Sequence, residues 1–152
     1  MTREVVHHLK YKGLKALAVP LGGLLADYLQ SYPLPTQVLV PVPLHPRRLR
    51  QRGYNQSTLL GRELSKFITL PLMEGCLIRL RNTASQARAA DVKERRKNVE
   101  GAFECLDERL RGKQVLLIDD VCTTGATLDA CAGALKAGGA ISVWGLTLAR
   151  ET

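Results

Sequence analysis

Aromatic side chains are scarce in this sequence: one Trp, four Tyr and two Phe among 152 residues. Leu, Val, Ile and Ala must therefore fill the core, and there is no aromatic series on which single-stranded bases could stack. Long apolar runs are missing too. The best stretch, residues 14–29, is broken by Lys15, Pro20, Gly22-Gly23 and Asp27, so it falls short of the roughly 20 residues of a membrane span. Met1-Thr2-Arg3-Glu4 lacks the apolar core of a signal peptide, and a cytoplasmic protein is the expectation. The cysteines are few and scattered. Cys76, Cys105, Cys122 and Cys131 form no CxxC pair, which argues against a zinc site and, without a secretion signal, for free thiols. Acidic residues are outnumbered, 14 against 22 Lys and Arg, for a formal net charge of +8.

What is present fits one ordinary domain, with 45% hydrophobic and 24% charged residues. The basic excess admits two readings, a solvated surface or a polyanionic partner. Arg47, Arg48, Arg50 and Arg52 form one cluster. Arg79, Arg81, Arg88, Lys93, Arg95, Arg96 and Lys97 form a looser second one. Only Tyr54 accompanies the first group, which favours a phosphate ligand over stacked single-stranded nucleic acid.

Periodicity predicts helical structure over 4–30, interrupted at Gly13 and Pro20. It predicts a buried strand over 37–42, ended by Pro41 and Pro43, a basic loop over 44–53 and a helix over 55–67. Shorter strands are expected at 76–80 and 102–105, with a polar loop at 81–90 and a charged helix at 91–98. The chain then reads as a strong strand over 114–118, a helix over 126–137 closed by Gly138-Gly139, and a last strand over 141–148. Alternating strands and helices predict an α/β fold around a mainly parallel sheet flanked by helices. In such sheets ligands bind beyond the carboxyl ends of the strands, after Val42, Leu80 and Ile118.

The stretch after Ile118 carries the densest chemistry. Asp119 and Asp120 are followed by Val121, Cys122, Thr123, Thr124, Gly125, Ala126 and Thr127. A helix beginning here offers N–H groups without intrahelical partners and partial positive charge. The Thr hydroxyls add donors and Gly125 permits close approach. The two carboxylates can accept hydrogen bonds from sugar hydroxyls, so the string suits a ribose 5-phosphate. Read singly, the Asp pair also suits a helix cap or surface ion pairs, and Thr-Thr-Gly also suits a plain N-cap. The lysine of a P-loop and the GxGxxG of a dinucleotide fold are both absent.

The string IDDVCTTGAT resembles the phosphoribosyl pyrophosphate (PRPP) motif of type I phosphoribosyltransferases. Further segments are similar to the ComF/GntX branch: Lys10-Tyr11-Lys12-Gly13, Pro41-Val42-Pro43-Leu44-His45, Arg52-Gly53-Tyr54-Asn55-Gln56, Thr83-Ala84-Ser85-Gln86, Arg95-Arg96-Lys97-Asn98 and Gly101-Ala102-Phe103. That branch is associated with DNA uptake in competent bacteria or with gluconate utilisation. The resemblance implies a type I phosphoribosyltransferase-like fold, with residues 1–36 as a small helical hood and 37–152 as the core. Its members often carry an N-terminal zinc-binding cysteine cluster. None is present here, so no zinc is expected in this chain.

The resemblance also implies roles. PRPP would bind as its magnesium complex, with Mg2+ held mainly through the ligand and not directly by the protein. Asp119 and Asp120 would serve as the catalytic pair, holding the ribose hydroxyls and favouring a developing sugar cation. Residues Val121 to Thr127 would take the 5-phosphate. Leu44, His45, Arg47 and Arg48 would take the pyrophosphate, although a surface role suits His45 equally. A flexible loop would close over the site through Thr83, Gln86 and Arg95. A homodimer is common in the superfamily. The acceptor is not legible. A non-catalytic PRPP or nucleotide sensor, acting in DNA uptake through DNA or DNA-uptake proteins, is the alternative to an enzyme.

Overall fold

The computed structural model describes residues 15–81, 101–122 and 124–150. A short 3-10 turn, Lys15–Leu17, leads into helix α1, Ala18–Ser31. Strand β1 is Val38–Pro41, followed by α2, Pro46–Arg52, and α3, Gln56–Ile68. The strands β2, Leu77–Arg79, and β3, Phe103–Cys105, come next. Then follow β4, Gln114–Cys122, helix α4, Ala126–Ala137, and β5, Ser142–Arg150.

Two sheets form. β1, β4 and β5 pair in parallel with β4 in the middle. β2 and β3 make a separate antiparallel pair, Leu77 opposite Cys105. The architecture is α/β, as expected. β4 is central because Val115, Leu116, Leu117 and Ile118 are apolar on both faces and buried. Their side chains alternate with period two. Val115 and Leu117 join Val38, Val40, Cys131 and Leu135 on the α4 side. Leu116 and Ile118 join Leu21, Leu25, Leu60 and Leu64 on the side of α1 and α3. Each fully buried Leu contributes about 1.5–3 kcal/mol relative to exposure. Leu21, Leu25 and Leu29 bring α1 onto α3, where Gly22 lets the two backbones approach.

Three expectations need correction. The basic loop expected at 44–53 contains helix α2. Its Arg-rich sequence has no apolar stripe because none of its residues is buried. Local capping holds it: the His45 ring accepts from the Arg47 N–H, Pro46 occupies the first turn, and Gly53 closes the end at φ +83°. The strand expected to stop at Ile118 runs on to Cys122, because β5 continues alongside it, pairing Asp119 with Thr147 and Cys122 with Arg150. The acid pair therefore lies in the strand, not beyond it. Pro20 does not break α1, since it lies in the first turn, where no intrahelical N–H bond is required.

The other elements agree within one to three residues, and α4 matches its expected range. The expected loop at 81–90 reaches the described residues only at Arg81. The charged helix at 91–98, Gly13 and the start of the N-terminal helix lie outside them. Among the described residues no helix is long and apolar enough to cross a membrane.

Candidate functional site

The site is built where β4 ends. Asp119 lies opposite Thr147 of β5, and Asp120 follows it in β4. Asp120 is buried. Gln56 Nε2 donates to its Oδ2 at 2.9 Å, and the Val121 N–H donates to its Oδ1 at 2.8 Å. Asp119 is half-buried. Its Oδ1 accepts from the Ser57 hydroxyl at 3.1 Å and from the Asp120 N–H at 2.9 Å. Burial first, then the neighbouring charge of Asp120, pushes the Asp119 carboxyl well above the usual carboxylate range.

The first turn of α3 thus holds both acids. Asn55 caps that helix by accepting from the Ser57 N–H at 2.9 Å, and its amide donates to the Val42 carbonyl at 3.0 Å. The cap therefore also pins α3 to the end of β1. Arg52 Nη1 donates to Gln56 Oε1 at 3.1 Å, which completes a chain Arg52–Gln56–Asp120. Gln56 was legible as part of RGYNQ, but its contact with Asp120 was not. Ser57 went unremarked in the sequence; its position beside Gln56 was the only signal.

After β4 the chain turns into α4. Gly125 stands at the N-cap with φ +81°, a conformation that favours glycine. The Thr124 hydroxyl accepts from the Ala126 N–H at 3.2 Å. The next N–H groups, of Thr127 and Leu128, have no intrahelical acceptor by position. Ala126 is buried, Cys122 and Thr127 are half-buried, and Val121 lies in the strand beside Ala149. Thr123 lies outside the described residues, as do Thr83, Gln86 and Arg95.

The segment expected to take pyrophosphate splits in two. Leu44 and His45 lie before α2, with His45 engaged as its cap. Arg47 is exposed and Arg48 half-buried on α2. Arg79, singled out only for its charge, proves to be part of this neighbourhood. Its guanidinium carbon stands 4.7 Å from the centroid of the Phe103 ring. Its Nε is buried with no acceptor among the described residues, an arrangement that costs about 1–3 kcal/mol. Burial lowers its pKa, Cys131 and Asp119 oppose that, and the Arg48 charge adds to it.

Among the described residues no three His, Cys, Asp or Glu side chains converge to hold a metal ion. Cys76 and Cys131 are buried, and burial pushes the Cys76 thiol up to about 11 and raises that of Cys131 further. Cys131 is core of α4, and Trp144 packs beside Leu116 and Ile118.

A parallel sheet flanked by helices, with a strand-acid pair-turn-helix unit at its carboxyl end, is the type I phosphoribosyltransferase-like fold. Residues 56–150 match the phosphoribosyl transferase domain, and the chain belongs to that family. It is 37% identical over 117 residues to competence protein F of Haemophilus influenzae, covering 74% of this chain and 51% of that protein. It is 33% identical over 148 residues to the DNA utilization protein YhgH of Escherichia coli strain K12, covering 92% and 64%. It is also 33% identical over 153 residues to competence protein ComFC of Bacillus subtilis, covering 99% and 60%. The chain thus spans between half and two thirds of the length of these relatives. Among solved structures, the glutamine PRPP amidotransferase of B. subtilis superposes with a TM-score of 0.60 at 20% identity, over 88% of this chain and 26% of that one. A purine phosphoribosyltransferase of Pyrococcus horikoshii gives 0.50 at 19%, over 86% and 70%. These similarities establish the fold.

Proposed function

We propose that the chain binds the magnesium complex of PRPP and transfers its phosphoribosyl group to an acceptor, releasing pyrophosphate. One observation carries this reading. Two acids at the end of β4 are held by Gln56 and Ser57, and the left-handed Gly125 turn opens α4 a few residues later. On this reading, Asp119 and Asp120 bind the ribose hydroxyls. Thr124, Gly125 and Thr127, with the first-turn N–H groups of α4, bind the 5-phosphate. Arg47 and Arg48 bind pyrophosphate oxygens. Magnesium arrives with the diphosphate and offsets its charge.

Catalysis would come from positioning and electrostatics without a covalent intermediate. As the glycosidic bond to pyrophosphate lengthens, positive charge grows on the sugar. A carboxylate at Asp119 favours that charge. Its proton affinity, raised in the free chain, would fall as the magnesium complex and the cationic sugar arrive.

Calorimetry with magnesium and PRPP tests the reading. Wild type should bind, and Asp119→Asn combined with Asp120→Asn should not, with circular dichroism confirming that the double variant is folded. Equal affinity in the two proteins would remove the acids from the site.

The names of the curated relatives favour a biological setting in competence and DNA utilization. We place the chain there. A net charge of +8 would let it meet nucleic acid directly, and phosphate contacts give a steep salt dependence. A gel shift across a salt series checks this. Shifts retained by the Asp double variant would separate DNA binding from the phosphoribosyl site.

A further inference from the structure

β5 is a free edge of the parallel sheet: among the described residues no strand lies beyond it. Such an edge presents unpaired N–H and C=O groups, and proteins usually blunt it with Lys, Pro or another charge. Residues 142–149 carry none of these. Helix α1 overhangs this edge. Cβ atoms on Gly22 and Gly23 would point at Glu63 and Phe67 of α3, and α3 covers β1 and β4. Leu21, Leu25 and Leu29 cluster with Leu116 and Ile118 of β4 and with Leu146 of β5. At about 3.6 residues per turn, Leu24 and Tyr28 then stand on the flank opposite α3, out past β5. Tyr32 at the helix end continues the stripe, its ring 5.0 Å from that of Tyr28. These three are 51%, 52% and 63% exposed.

We propose that this edge and stripe form an interface between two copies of the chain, β5 pairing antiparallel with its counterpart across a twofold axis. Spacing carries the argument. α1 sits over β4 and β5, so its counterpart would lie two strand spacings away. Two spacings of about 4.8 Å give about 10 Å, the distance at which helices pack side by side. Each stripe therefore meets its own copy while the two edges close into one continuous sheet, an isologous contact. A lone extended peptide would pair with the edge but supplies no helix to meet Leu24 and Tyr28. Charge agrees. Neither residues 24–32 nor residues 142–149 include a Lys or Arg, although the chain carries 22, and interface centres are depleted of charge. Area agrees too. A half-exposed tyrosine offers roughly 100 Å². With Leu24 and the nine-residue edge, two copies approach the roughly 1,200 Å² at which specific interfaces begin. The contact does not rest on the function proposed above.

Sedimentation equilibrium of the full chain over a dilution series is the test. Wild type should dimerise and stop at the dimer. Added salt should strengthen the dimer by screening two chains of net charge +8 from each other. Leu24→Glu combined with Tyr28→Glu should raise the dissociation constant at least about tenfold, with circular dichroism confirming the fold. This variant lowers the net charge, so added repulsion is not the cause of its loss. Val19→Glu and Phe67→Glu alter residues 51% and 54% exposed but away from the stripe, and each should leave the dimer unchanged. Hydrogen exchange locates the edge: amides of Ser142–Arg150 should slow with concentration in wild type and not in the double variant. A dimer untouched by the double variant, one weakened equally by Val19→Glu, or one whose β5 amides exchange as fast as in the monomer overturns the proposal. So does a chain that stays monomeric throughout the series, which leaves the edge to another occupant such as a partner strand.

Discussion

Gln56 and Asp120, 64 residues apart in the chain, meet at 2.9 Å, the amide of the first turn of α3 donating to the buried carboxylate at the end of β4. This bond joins the helix that follows the basic segment to the strand that carries the acids. Replacing Gln56 with Leu leaves Asp120 buried with one donor fewer. We expect a loss of about 1–3 kcal/mol in urea unfolding at neutral pH. Gln56→Glu should cost more, because it sets a second carboxylate against the first, and much of that extra loss should return on acidification.

Asp119 gives a pH dependence whose sign follows from linkage. Its carboxyl is raised in the folded chain, by burial and by Asp120. The folded state therefore holds a proton that the unfolded state has already released. Stability falls as pH rises from the unfolded pKa to the folded one, and is level above it. Asp119→Asn keeps the acceptor for Ser57 and removes the titration. We expect this variant to melt higher than wild type at about pH 7, with the difference shrinking towards about pH 3 to 4. A difference that grows on acidification would contradict the assignment.

Gly125 should be intolerant of a side chain for reasons of backbone alone. Nothing lies within 4 Å of a Cβ built there, but its φ is +81°. Gly125→Ala should cost roughly 1–2 kcal/mol and weaken phosphate binding by re-aiming the first turn of α4. Gly133→Ala, also in open space but inside the helix, should instead gain about 0.5–1 kcal/mol. Thermal melts of the two variants separate these signs.

Adjacent glycines of α1 should respond oppositely. A Cβ on Gly22 would stand 2.7 Å from Glu63 Cβ and 3.2 Å from the Leu64 nitrogen. α1 and α3 must then part, and Gly22→Ala should cost about 1–3 kcal/mol. A Cβ on Gly23 meets only the Phe67 ring, at 3.5 Å, an ordinary contact. Gly23→Ala should stabilise by about 0.5–1 kcal/mol through the loss of chain freedom in the unfolded state. Denaturant midpoints for the pair test both statements.

Local chemistry is what could be read from the sequence alone. The apolar run Val115 to Ile118 forms a buried strand in any context that supplies two covering layers. The Ala-rich segment ended by Gly138-Gly139 forms α4, and Asn55 caps α3, because each depends on residues close in the chain. Tertiary structure decided the rest. β4 runs on through its two acids because β5 lies beside them, and no local signal in Asp119-Asp120 states that. The basic segment coils into α2 through His45 and Gly53 while burying nothing, so hydrophobic period was silent. Gln56 and Ser57 became partners of the acids through contacts that only the packing of α3 against β4 creates, and Arg79 came to feel the Asp119 charge through the fold alone. Hydrogen bonds and charge act over a few ångströms of space, and the sequence records only distance along the chain.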